Sequence, residues 1–112
     1  MDILDIIDTY NQYIQKVPRG AMYIVENFRN ENINAALNAV SDFSEGTLWL
    51  SEISTLLNSN QVSVIFDVTK INDFLIEINE GLNKQDYLLV ADIFEYEIIP
   101  FFEQLLPIQF MV

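Results

Sequence analysis

Two short acidic motifs contain the residues of this sequence that are best suited to chemistry. Asp42 and Glu45 form one Asp-x-x-Glu motif, and Asp92 and Glu95 form the other. This spacing places both carboxylates of a motif on the same face of a helix. Four such carboxylates brought together would hold a hard divalent cation, or raise the pKa of one carboxyl for acid–base catalysis. A solvated acidic face is the alternative, because 17 of the 112 residues are acidic.

Composition excludes several other chemistries. The sequence contains no cysteine and no histidine, so it has no thiol nucleophile, thiolate metal site or imidazole base. We therefore expect no cofactor. A net charge of −12 disfavours contact with nucleic acid and with anionic membranes, whereas basic protein surfaces remain suitable partners.

Apolar residues recur with the period of a helix along most of the chain. The pattern predicts four helices at about residues 1–29, 32–58, 67–82 and 86–106 in one domain spanning residues 1–112. Short connections favour an all-α, four-helix antiparallel up-and-down bundle. We expect helix 1 to continue through Pro18, with kinks in helices 1 and 4 at Pro18 and Pro100. The seam of helix 1 comprises Ile3, Ile7, Tyr10, Ile14, Val17, Ala21, Ile24 and Phe28.

Three local features refine this architecture. Gly46, in the middle of helix 2, indicates a close approach by a neighbour or a bend. Apolar and other residues alternate over residues 62–66, and we interpret this segment as an extended connection packed onto the core. Residues 40–45 resemble residues 90–95 at an offset of 50, which predicts that helices 1–2 and helices 3–4 are two related αα-hairpins.

The last quarter of the chain has more apolar residues than one helix stripe can use. Eighteen of the 26 residues from Tyr87 to Val112 are hydrophobic, so this helix either is buried on several sides or meets a partner. We expect an apolar interface, with a second copy in a homodimer or with a different protein. The candidate interface residues are Ile99, Phe102, Leu106, Ile108, Phe110 and Met111.

Two segments carry a resemblance to a known group of proteins. They are DYLLVADIFEYEIIP at residues 86–100 and DFSEGTLW at residues 42–49. Together they resemble an uncharacterised group of small acidic all-helical proteins from low-GC Gram-positive bacteria. The resemblance implies an intracellular bacterial protein and carries over no catalytic residue.

The acidic start of the chain lacks the basic residues of an export signal, and no stretch of about 20 apolar residues is present. We expect a cytoplasmic protein.

The leading functional hypothesis is a non-catalytic protein–protein interaction module, such as a small acidic adaptor or chaperone-like bundle. The first alternative is a divalent-metal-binding protein or hydrolase that uses Asp42, Glu45, Asp92 and Glu95. The second is an acidic mimic of nucleic acid that occupies a basic site on a DNA-binding protein.

Overall fold

The computed structural model describes residues 2–109 and contains four helical rods. They are α1 (Ile3–Arg29), α2 (Ile33–Ser59), α3 (Val68–Asn83) and α4 (residues 87–103). Short connections join α1 to α2 and α3 to α4, a longer connection at residues 60–67 joins α2 to α3, and the predicted all-α four-helix bundle is confirmed. The observed ends lie within about three residues of the predicted ones.

Aspartate side chains cap three of the helices at their N-termini. Asp2 accepts a hydrogen bond from the N–H of Asp5 at 2.9 Å, and Asp67 accepts one from Lys70 at 3.0 Å. Asp86 caps α4 in the same way. Each carboxylate satisfies a backbone donor that has no partner within its helix. These local signals explain why the sequence places the starts of α1, α3 and α4 correctly.

The three connections use the same backbone turn. Helices α1, α2 and α3 each end in a Schellman motif, in which a left-handed residue reverses the chain. The left-handed residues are Glu31, Gln61 and Gln85, with φ of 64°, 65° and 54°. The hydrogen bonds that close the motifs run from Asn32 N to Asn27 O, from Val62 N to Leu57 O, and from Asp86 N to Gly81 O, at 2.8–2.9 Å. Glycine usually fills this position because L-residues are strained there.

Helix α1 is one continuous helix of 27 residues with Pro18 in its interior, as predicted. Its seam is buried from Ile7 to Phe28, with Ile3 partly buried, and it packs against both α2 and α4. The kink expected at Pro18 is not tested by these observations and stays a prediction.

Helix α4 changes its winding before its proline. Tyr87–Ile93 is α-helical, Phe94–Ile98 is π-helical, and Ile99–Glu103 is α-helical again. Pro100 has no N–H to donate to the preceding turn. The side chains of Val90, Phe94, Ile98 and Phe102 are all buried. In a regular α-helix, residues four apart point in directions that differ by about 40° around the helix axis. The wider π turn reduces this difference and keeps all four side chains in the core.

Aromatic rings fill the core where α2, α3, α4 and the long connection meet. Phe43 of α2 lies edge-on to Phe94, with ring centroids 5.0 Å apart, and Phe74 of α3 lies edge-on to Phe101 at 5.5 Å. Phe66 of the connection packs against Phe101 at 6.1 Å. This cluster holds residues 62–66 against the bundle. Val62, Val64 and Phe66 are buried, whereas Ser63 and Ile65 are exposed, so the predicted extended connection is confirmed.

The two segments of the predicted repeat lie at different distances from the starts of their helices. Asp42 lies nine residues after the start of α2 at Ile33, whereas Asp92 lies five residues after the start of α4 at Tyr87. The difference is about one helical turn. The similar segments therefore do not occupy equivalent positions in the two hairpins, and the structure gives no support to a duplication at an offset of 50.

Two glycines mark places where helices approach closely. A methyl group on Gly46 would overlap the ring of Tyr13, which packs against Trp49 at a centroid distance of 5.9 Å. The predicted close approach at Gly46 is confirmed. A methyl group on the buried Gly81 would lie 2.7 Å from Val90 Cγ2 of α4. By contrast, nothing lies within 4 Å of such a methyl group on Gly20.

We predict opposite effects from alanine at two of these glycines. Gly81→Ala is expected to lower the free energy of unfolding by about 1–2 kcal/mol, because the fully buried Val90 must shift. Gly20→Ala, the matched control, is expected to raise it by about 0.5–1 kcal/mol, because alanine loses less entropy in a helix. Urea denaturation of both variants measures the difference. Equal effects at the two positions would contradict the close packing of α3 on α4.

Candidate protein-binding groove

Both carboxylates of the predicted acidic motif on α4 pair with one arginine. Arg29, at the end of α1, donates to both oxygens of Glu95 at 3.1 Å and to Asp92 Oδ1 at 3.1 Å. The hydrogen bond from Arg29 holds the pKa of the Glu95 carboxyl below its usual value. These contacts tie the end of α1 to α4 and use the carboxylates that a metal ion would need.

The other predicted motif stands apart on α2. Asp42 and Glu45 are exposed, and Asp42 lines a shallow cleft between α1 and α2 of about 310 Å³ together with Tyr13 and Lys16. Within residues 2–109 no three acidic, histidine or cysteine side chains lie close enough to hold a metal ion. The structure thus brings Asp92 and Glu95 together on Arg29, but does not gather the four carboxylates into one cluster.

A carboxylate pair that the sequence analysis missed joins α3 to the π-helical turn. Partial burial raises the pKa of Glu77, and the like charge of Glu97 raises it further. The two residues are 20 positions apart and share no motif. Only the packing of α3 on α4 brings them together, so no sequence signal identified them.

The predicted interface residues divide into two groups. Ile99 and Phe102 are 8% and 2% exposed, because the π turn directs them into the aromatic core. They offer no free surface to a partner. Leu106 is 83% exposed and Ile108 is partly buried. Phe110 and Met111 lie outside the described residues.

Leu106 and Ile108 line a groove at the end of the bundle, which we call the end groove. It has a volume of about 460 Å³ and lies between two non-helical segments. Residues 63–65 form one wall, residues 104–109 form the other, and Tyr10 of α1 also contributes. Ile65 and Leu106, on opposite walls, are 89% and 83% exposed and have the largest exposed fractions among the large apolar side chains of residues 2–109.

Two asparagines hold the walls of the end groove in place. Asn58 of α2 accepts from Val64 N at 3.0 Å and donates to Val64 O at 3.4 Å. Asn11 of α1 accepts from Ile108 N at 2.7 Å and donates to Ile108 O at 3.0 Å. A side-chain amide offers N–H donors and an oxygen acceptor, so it can pair with both groups of one residue as a peptide unit does. Each asparagine therefore binds the N–H and the C=O of one residue in a non-helical segment.

These asparagines were also missed by the sequence analysis. Neither Asn58 nor Asn11 belongs to a motif in the sequence. The available signal was the alternation over residues 62–66, because an isolated extended segment still needs hydrogen-bond partners for its backbone.

The groove lining contains no carboxylate and no basic side chain within the described residues. Burial raises the pKa of Tyr10 to about 12, so its phenol keeps its proton at neutral pH. The groove can bury apolar groups and pair with backbone, but it has no group suited to acid–base catalysis.

Among the described residues no helix is long and apolar enough to cross a membrane.

Comparison with known proteins identifies a family but no function. Residues 5–108 match the family described as a domain of unknown function, DUF8042. No curated protein and no solved structure matches the chain.

We predict that Asn58→Ala loosens the wall at residues 63–65. The variant removes both hydrogen bonds to Val64, and we expect a loss of about 1 kcal/mol in the free energy of unfolding. Amide hydrogen exchange at Val64 should become at least tenfold faster. Asn38→Ala, at an exposed position of the same helix, is the control and should leave this exchange rate unchanged. Unaltered exchange in Asn58→Ala would show that the asparagine does not hold the segment.

Because Glu77 of α3 lies beside Glu97 of α4, we predict that Glu77→Gln raises the melting temperature by an amount that depends on pH. Folding raises the pKa of Glu77, so the stability of the native protein falls as pH rises through the titration of this group. The variant should melt at a higher temperature than the native chain at pH 7, and the gain should shrink towards pH 4. Glu52→Gln, exposed on α2, controls for net charge. A rise in melting temperature that is constant with pH, or equal in both variants, would contradict the raised pKa of Glu77.

Proposed function

The chain belongs to the DUF8042 family, a domain of unknown function, and we propose that it is a non-catalytic protein–protein interaction module of the bacterial cytoplasm. The end groove is the proposed binding surface. The rest of the bundle serves as a rigid support for this surface.

The exposure of Ile65 and Leu106 on opposite walls of one groove is the observation that carries this proposal. Burying a large aliphatic side chain gains about 1.5–3 kcal/mol, yet these two lie almost fully in water while 27 hydrophobic residues fill the core. Exposed apolar side chains that line the same groove are typical of surfaces that bind other molecules.

The construction of the groove supports binding more than catalysis. Both walls are non-helical backbone fixed by side-chain amides, and Tyr10 is held in place by Phe66, with ring centroids 6.4 Å apart. A preformed surface loses little entropy when a partner binds. The metal-dependent alternative has less support, because no three acidic side chains within residues 2–109 lie close enough to hold a metal ion.

Site-specific photo-crosslinking in the native cells tests this proposal. A photoreactive phenylalanine analogue at position 65 or at position 106 should give the same covalent adduct to another protein, because both side chains border one groove. Position 48 on α2 is the matched control, since Leu48 is 54% exposed and lies on a different part of the bundle. It should give no such adduct.

Two outcomes of the crosslinking would contradict the proposal. Identical adducts from position 48 would show that the contact is not specific to the groove. The absence of adducts from both positions 65 and 106, with the variants folded by circular dichroism, would show that the groove is not a binding surface.

A further inference from the structure

The wall at residues 63–65 has one occupied edge and one open edge. Val64 directs its N–H and its C=O towards Asn58. In an extended chain the N–H and C=O of the next residues point to the opposite side. The backbone groups of Ser63 and Ile65 therefore lie on the edge away from Asn58, and no backbone group within residues 2–109 pairs with them.

This open edge faces the end groove. Residues 63–65 line the groove together with residues 104–109, whereas Asn58 does not line it. Asn11 is likewise absent from the lining, so both asparagines hold the walls from behind. The groove therefore combines an unpaired strand edge with exposed apolar side chains on both walls, and this combination is the one that strand addition uses.

We propose that the end groove binds an extended, basic segment of another protein, which adds as a strand to the backbone of Ser63 and Ile65. This inference rests on the proposed function and specifies the partner's conformation and charge. The backbone pairs give the complex its geometry, and the side chains of Ile65 and Leu106 contact alternate apolar residues of the bound segment.

Charge around the groove selects a basic segment. The stretches that contain the groove lining, residues 2–15, 50–69 and 96–109, have no lysine or arginine. They carry exposed acids next to the groove walls, namely Asp67 after one wall and Glu103 before the other. Asp8 lies one helical turn from Asn11 on α1. Lys70, the nearest base along α3, lies over the ring of Phe74 at 5.2 Å, which directs it away from the start of α3.

The same charges argue against a second copy of this chain as the occupant. A copy paired through the same edge would bring its own Asp67, Glu103 and Asp8 to the groove, and like charges at an interface repel. We expect a solution mass near 13.0 kDa by light scattering, and a peptide complex that is weakened by salt.

Binding of synthetic peptides to the full chain tests the inference. The probe is a seven-residue amidated peptide that alternates lysine with valine, labelled for fluorescence anisotropy. A second peptide has the same sequence with N-methyl groups on alternate residues, so that one edge cannot form backbone pairs. A third replaces each lysine with glutamate, and a fourth has the same composition in a helical period.

We expect the alternating lysine peptide to bind in the micromolar range and the other three to bind at least tenfold more weakly. Raising the salt concentration from 50 to 500 mM should lower the affinity for the lysine peptide at least threefold. Binding should slow the exchange of the Ile65 and Ser63 amides but not that of the Val64 amide, which Asn58 already occupies. Ile65→Asp should weaken the peptide more than Leu48→Asp, the control on α2.

Four results would overturn the inference. Equal binding of the N-methylated or helical peptide would exclude strand addition, and equal binding of the glutamate peptide would exclude charge selection. A mass near 26 kDa that Ile65→Asp halves would make a second copy the occupant. Peptide binding only after residues 110–112 are removed would show that these residues occupy the edge. The first two leave the proposed function intact, because that function is judged by crosslinking from positions 65 and 106.

Discussion

Burial of the apolar stripe of α1 is the interaction on which the rest of the structure depends. This helix packs against α2 on one side and against α4 on the other, so both hairpins are held together by the same row of side chains. Pro18 lies within it without ending it. Arg29 then fixes the far end of α1 to α4, and Asn11 fixes residue 108 near its beginning. A single long helix thus positions both α2 and α4, and α3 packs in turn on α4.

Sequence reasoning succeeded where the controlling interaction is local. The helix starts follow from aspartates that hydrogen-bond three residues ahead, and the extended segment follows from alternation over residues 62–66. Gly46 was interpreted correctly because a glycine inside a helix loses entropy that only close packing offsets. In each case the cause and its effect lie within a few residues of each other, so the sequence contains both.

Sequence reasoning failed where the outcome depends on the register between helices. The two acidic motifs lie about one turn apart in their positions along α2 and α4. Arg29, 63 residues before Asp92, forms ion pairs with the motif on α4. The pairing of Glu77 with Glu97 and the hold of Asn58 on Val64 have the same origin. The burial of Ile99 and Phe102 depends on a π turn, which no residue pattern in the sequence specified. Such contacts are set by side-chain packing across the bundle rather than by spacing along the chain.

The π-helical turn has a consequence for how the length of α4 tolerates change. A π turn is in effect one residue inserted into an α-helix, so the apolar stripe before Phe94 and the stripe after Ile98 belong to two different helical frames. Removing one residue between them would restore regular winding but would rotate everything downstream by about 100°. Ile99 and Phe102 would turn away from the core, and the wall of the end groove that follows them would turn with them. The position of that wall therefore depends on the number of residues in the π turn as well as on side-chain chemistry. Inserting or deleting one residue in this turn would alter the groove without changing any residue that lines it.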